Sequence, residues 1–148
     1  MKKIYTIMAA LLFSVTAFAQ IETPVKWAYA AKKVSSTEAV LLIKATIEED
    51  WHIYSQNVKP GGPIATAFTF SPAKTYALVG KPTEPKPITK YEPVSKMNVS
   101  YFENSVVFQQ KIKIKPGLTS VKGKVEFMTC NDRKCLPPDE VEFSIPVK

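Results

Sequence analysis

From Val25 onward the chain alternates apolar and polar residues with a period of two, the pattern of half-buried β-strands. Val25, Trp27 and Tyr29 alternate with Lys26, Ala28 and Ala30. The run Glu38 to Ile47 is apolar on both faces (Val40, Leu41, Leu42, Ile43), which predicts a central strand. Trp51 to Tyr54, Ala67 to Phe70 and Tyr76 to Val79 predict short strands. Later, Val106, Phe108, Ile112 and Ile114 oppose Val107, Gln109, Lys111 and Lys113. Val125 and Phe127 oppose Lys124 and Glu126, and Val141, Phe143 and Ile145 oppose Glu140, Glu142 and Ser144. Asp50, Gly61-Gly62-Pro63, Ser71-Pro72, Pro116-Gly117 and Asn131-Asp132 punctuate these runs as turns. Roughly eight or nine short strands and no helix predict an all-β, immunoglobulin-like antiparallel β-sandwich. Lys81 to Pro93 carries Pro82, Pro85, Pro87 and Pro93, and proline lacks the amide proton of a central strand. That segment is expected to be a loop or edge lying over one end of the sandwich.

The first nineteen residues follow a different rule. Lys2 and Lys3 form a basic start, Ile7 to Phe18 a short apolar core, and Ala17-Phe18-Ala19 the small-x-small site of a signal peptidase. The expectation is an export signal at residues 1–19 and one domain at residues 20–148, 129 residues (148 − 19). The apolar core is shorter than the ~20 residues a membrane span needs. Export to the periplasm is therefore predicted, in a compartment where disulfides persist. A domain of this length buries roughly two-thirds of its unfolded surface, so its core does not depend on a disulfide.

Charge changes the picture little. The whole chain carries +7, and loss of Lys2 and Lys3 leaves +5. Lys111, Lys113, Lys122 and Lys124 occupy solvent-facing strand positions, and Arg133 is the only arginine. Without basic residues focused on one element, no nucleic-acid partner is expected.

The covalent chemistry lies in Cys130 and Cys135, the only two cysteines, within Phe127-Met128-Thr129-Cys130-Asn131-Asp132-Arg133-Lys134-Cys135-Leu136-Pro137-Pro138. A bond between them would close a short loop, which in the chain-entropy model stabilises a fold by only ~2 kcal/mol, against ~4.7 for a loop of about 100 residues. The pair follows a strand end, so both sulfurs are expected at the rim, where a partner thiolate can reach them. Arg133 and Lys134 would lower the thiol pKa values while Asp132 and Asp139 would raise them. The spacing is not Cys-x-x-Cys. A zinc site would need two more ligands, yet His52 is the sole histidine, and the scattered methionines, Met97 and Met128 among them, carry no copper signature. No metal or cofactor is expected. Two readings stay open: a redox-active pair, or a structural clamp in a binding or adaptor module.

The segment Glu49-Asp50-Trp51-His52-Ile53-Tyr54-Ser55-Gln56, then Gly61-Gly62-Pro63, then Cys130 to Cys135 with Pro137-Pro138, resembles the N-terminal periplasmic domain of the thiol:disulfide interchange protein DsbD. The resemblance runs from about Trp27 to Pro146. It implies an immunoglobulin-like fold whose cysteine pair takes electrons from a thioredoxin-like donor domain, itself supplied by a membrane electron carrier. The pair would pass them to periplasmic thioredoxin-fold oxidoreductases, including disulfide isomerases and cytochrome c maturation factors. By position, Cys135 would attack and form the mixed disulfide, and Cys130 would resolve it. His52 and Tyr54 match the aromatic residues beside the family's pair, and Glu92 falls in the stretch matching its cap loop. This chain has one residue fewer between its cysteines and no phenylalanine from Glu92 to Met97. The membrane and thioredoxin-like parts are not in the sequence, so a free-standing domain is expected.

Overall fold

The computed structural model describes residues 21–93 and 95–148; the export signal predicted at residues 1–19 lies outside them. The described residues contain eleven strands and no helix: β1 (Val25–Lys33), β2 (Glu38–Ile47), β3 (His52–Tyr54), β4 (Ala67–Phe70), β5 (Tyr76–Thr83), β6 (Ile88–Glu92), β7 (Met97–Glu103), β8 (Ser105–Ile114), β9 (Ser120–Phe127), β10 (Thr129–Cys130) and β11 (Asp139–Pro146). The count exceeds the eight or nine expected for two reasons. β6 and β7 form a hairpin that the alternation did not reveal, and Thr129–Cys130 forms a short strand of its own, β10, separated from β9 at Met128.

All pairings between named strands are antiparallel. One sheet has the order β1-β2-β8-β5, with β2 central as predicted. Opposite it stand a second four-stranded sheet of shorter strands, β10-β3-β7-β6, and a three-stranded one, β11-β9-β4. The chain steps from one of these to the other at Met128. The result is an immunoglobulin-like β-sandwich.

Its core follows from the pleat, because residues two apart share a face. Ala39, Leu41, Ile43, Ala45 and Ile47 point inward from β2, and Val106, Phe108 and Ile112 from β8. They meet Ile53 of β3, Phe102 of β7, Val121, Val125 and Phe127 of β9, and Phe143 and Ile145 of β11. Aromatic edges join the layers: Trp27 contacts Phe127 at 5.2 Å between ring centroids, Phe68 contacts Phe108 at 5.0 Å, and Phe102 contacts Phe108 at 5.8 Å. Phe108, with no exposed surface, is the hub.

One polar side chain bridges the irregular part. The β5–β8 register shifts between Val79 and Thr83. There the fully buried Gln110 donates its amide Nε2 to the carbonyls of Val79 and Gly80. Beyond it, β5 leaves the first sheet and β6 becomes the edge of the second. The prolines account for this: β6 contains none of them, they flank it, and as an edge it needs only one hydrogen-bonded neighbour.

Candidate functional site

The small sheet β10-β3-β7-β6 turns one face to the core and the other outward. Ile53, Phe102 and Thr129 face inward and are buried. Register then fixes the outer face. Cys130 lies opposite His52, which lies opposite Glu103, while Tyr54 lies opposite Tyr101, which lies opposite Ile88. One step of the pleat therefore separates residues that build the fold from residues that build a site.

The outer face holds a groove of about 420 Å³ lined by Cys130, Cys135, His52, Tyr54, Tyr101, Glu103, Asp132, Lys90 and Glu92, among others. A groove of about 590 Å³ elsewhere, over Phe70, Gly123 and Phe143, contains neither sulfur nor imidazole. The cysteine groove is thus the one with chemistry.

Cys130 and Cys135 are joined in a disulfide, with Cα atoms 4.0 Å apart. They sit directly across from one another at the mouth of a hairpin. Leu136 N–H donates to Thr129 C=O on one side and Asn131 N–H to Lys134 C=O on the other, so the cysteines occupy the non-hydrogen-bonded position, the closer of the two kinds. Asn131 closes the turn: its Oδ1 accepts the N–H groups of Arg133 and Lys134, each at 2.9 Å. An asparagine does this because its short side chain folds back on the backbone two residues ahead.

The two sulfur-bearing residues differ sharply in exposure. Cys130 is 2% exposed and packs with Tyr54 and Val99 in a cluster separate from the main core. Cys135 is exposed. This corrects the expectation that both sulfurs lie open at the rim. The strand pairing of β10 with β3 seals Cys130, whereas Cys135 follows the turn and has a partner on one side only.

Around the pair the aromatic residues brace each other. The His52 ring lies tilted against that of Tyr101, 4.8 Å between centroids, and stands edge-on to Tyr54 at 5.3 Å, with Nε2 3.3 Å from the Tyr54 hydroxyl. Burial pushes the His52 imidazole below its usual range, against the pull of Glu103, Asp132 and Glu92. Tyr54 is pushed up to about 12, chiefly by burial and then by Glu92 and Tyr101, so its hydroxyl stays protonated. Glu92 accepts a hydrogen bond from Ser95 at 3.0 Å. Of the cations named in the sequence, Lys134 is turned away from the groove: it pairs with Glu22 and lies 5.9 Å from the centre of the Trp51 ring.

All five residues singled out from the sequence, Cys130, Cys135, His52, Tyr54 and Glu92, line this groove together. Tyr101, Glu103 and Lys90 were missed. The signal for Tyr101 and Glu103 was the alternation Val99-x-Tyr101-x-Glu103, masked because the opposite face reads Asn98-x-Ser100-x-Phe102 and mixes polar with apolar; Lys90, on the exposed edge strand β6, gave none. Among the described residues, no group of three or more His, Cys, Asp or Glu is arranged to hold a metal ion.

An immunoglobulin-like sandwich with a half-exposed cysteine pair in an aromatic groove defines a class of redox-capable β-domain. The sequence profile of the family described as "Thiol:disulfide interchange protein DsbD, N-terminal" matches residues 19–146, and the chain belongs to that family. A search of curated protein sequences finds no match. Similar solved structures include the N-terminal periplasmic domain of ScsB from Proteus mirabilis (TM-score 0.57, 16% identity, 85% of this chain and 49% of that one). The chain thus spans about half the length of that ScsB domain. The reduced N-terminal domain of DsbD from Neisseria meningitidis matches with a TM-score of 0.52 and 16% identity, over 82% of this chain and 85% of that one. The complex of the DsbD and PilB N-terminal domains from the same organism matches with a TM-score of 0.55 and 14% identity, over 84% and 87%.

Proposed function

We propose that this chain is an exported, periplasmic thiol–disulfide exchange domain that relays reducing equivalents through Cys130 and Cys135 between thioredoxin-fold partners. The observation that carries the reading is the asymmetry of the pair: one cysteine is open to a partner and the other is buried behind it. Exchange needs in-line access of a thiolate to one sulfur and a second sulfur held close enough to displace the partner. Family membership supports the same reading. Engagement of a partner protein domain is supported by the solved complex of a DsbD N-terminal domain with a PilB N-terminal domain, and periplasmic location by the ScsB domain, described as periplasmic.

In the forward direction a donor dithiol reduces the disulfide. The Cys135 thiolate then attacks a second partner's disulfide, and one partner sulfur leaves as a thiolate. Cys130 attacks Cys135, re-forming the internal bond and releasing the second partner sulfur. One disulfide is consumed and one formed, so electrons balance.

The test is trapping with single-cysteine variants. Cys130→Ala should accumulate mixed disulfides with thioredoxin-fold proteins through Cys135, while Cys135→Ala should capture almost none. Capture chiefly through Cys130 would reverse the assignment. Capture by neither would leave the bond as a clamp in a binding module.

A further inference from the structure

We propose, building on the exchange reading above, that His52 is the proton acceptor for Cys130 in the step that closes the disulfide and releases the partner. Cys130 has a difficulty that Cys135 lacks. It is buried, and burial in apolar surroundings raises a thiol pKa and keeps the sulfur protonated. Even an unperturbed thiol of pKa ~8.5 is only about 3% thiolate at pH 7. Solvent reaches Cys135, but a proton leaving Cys130 needs a nearby acceptor.

The groove offers one candidate of suitable basicity in the right place. His52 is the cross-strand partner of Cys130 on the same outer face. It is the sole histidine of the chain. Its ring is held on two sides, by Tyr101 and by the Tyr54 hydroxyl at Nε2, and Nδ1 has no hydrogen-bond partner among the described residues. The groups facing it are Glu103 and Tyr101 from β7, Tyr54 from its own strand, Glu92 and Lys90 from β6, and Asp132 from the cysteine turn. Burial outweighs the three carboxylates and leaves the ring neutral near pH 7, ready to accept. Once protonated, the imidazolium is stabilised by Glu103, Asp132 and Glu92.

The step balances as follows. From the mixed disulfide, the Cys130 thiol gives its proton to His52 and its sulfur electron pair forms the bond to the Cys135 sulfur. The bond between Cys135 and the partner breaks, and the partner sulfur leaves with that electron pair. The imidazolium then returns the proton to the leaving thiolate or to water.

The experiment uses the reduced full-length mature protein with 5,5′-dithiobis(2-nitrobenzoic acid), a coloured aromatic disulfide. Attack by Cys135 releases one equivalent of thiolate in a concentration-dependent phase; closure by Cys130 releases the second in a concentration-independent phase. In His52→Gln the first phase should be unchanged and the second at least about tenfold slower near pH 7, consistent with general-base contributions. In the unsubstituted protein the second phase should fall as acid protonates His52, an inflection that His52→Gln should lose. Added imidazole should restore the second phase in His52→Ala, which a purely structural role would not allow. An unchanged second phase, equal slowing of both phases, or no imidazole rescue would overturn the proposal while leaving the exchange reading intact. Absence of either phase in the unsubstituted folded protein would overturn both.

Discussion

Gly123 shows how a single hydrogen atom can set the shape of a sheet. It lies in β9 opposite Phe143 of β11 and Phe70 of β4, whose rings meet at 5.7 Å across it. A Cβ there would fall 2.5 Å from the Thr69 carbonyl oxygen and 2.7 Å from the Phe143 ring. The carbonyl belongs to a paired strand and cannot move cheaply. Gly123→Ala should therefore destabilise the fold by about 1–3 kcal/mol through overpacking, measured by urea unfolding; a loss under about 0.5 kcal/mol would show that β4 yields. At the same scale, the site residues were legible through chemistry and resemblance, not through packing. Cys130 and Cys135 stood out as the only sulfhydryls, and His52, Tyr54 and Glu92 through their match to the DsbD N-terminal family. Gly123 gave no such signal, because the need for a missing side chain is visible only when three strands are aligned.

At the scale of elements, the alternating strands β1, β8, β9 and β11 were legible because one face of each is more buried than the other, and β2 because it is apolar on both faces. β6 and β7 were not. β6 is an edge strand whose residues are mostly exposed, and β7 carries the groove on one face and the core on the other, so neither gives clean alternation. The proline-bearing crossover into β6 is fixed by a polar knot instead. The Glu84 carboxylate accepts from the Ser55 hydroxyl, from Gln56 N–H at 2.9 Å, from the Gln56 amide at 3.3 Å and from the Asn57 amide at 3.0 Å. Ser55 is fully buried at the end of β3, so the knot also holds the strand bearing His52 and Tyr54. Hydrogen bonds to a charged, partly buried group are worth about 1.5–3 kcal/mol. Glu84→Ala should cost about 2–3 kcal/mol in urea unfolding and slow thiol exchange, with Glu84→Gln recovering about half. A silent Glu84→Ala would place the crossover's order elsewhere.

At the scale of the whole molecule, the fold separates rigidity from reactivity. The sandwich is held by a continuous apolar core between its layers, to which the cysteine loop adds little. A bond closing so short a loop contributes only ~2 kcal/mol in the chain-entropy model, against ~5–15 kcal/mol for a typical domain. The sandwich class was predictable from strand number and turn spacing. Which cysteine is sealed was not, because that depends on β10 pairing with β3, which sets Cys130 against His52, 78 positions apart (130 − 52). The central claim is that the bond exists to be opened. Equilibrating the folded mature protein with defined glutathione or dithiothreitol buffers, and counting free thiols, measures its reduction potential. A value above about −300 mV, reached with the protein still folded, is predicted; a value below that marks a bond resistant to cellular reductants and would contradict the account.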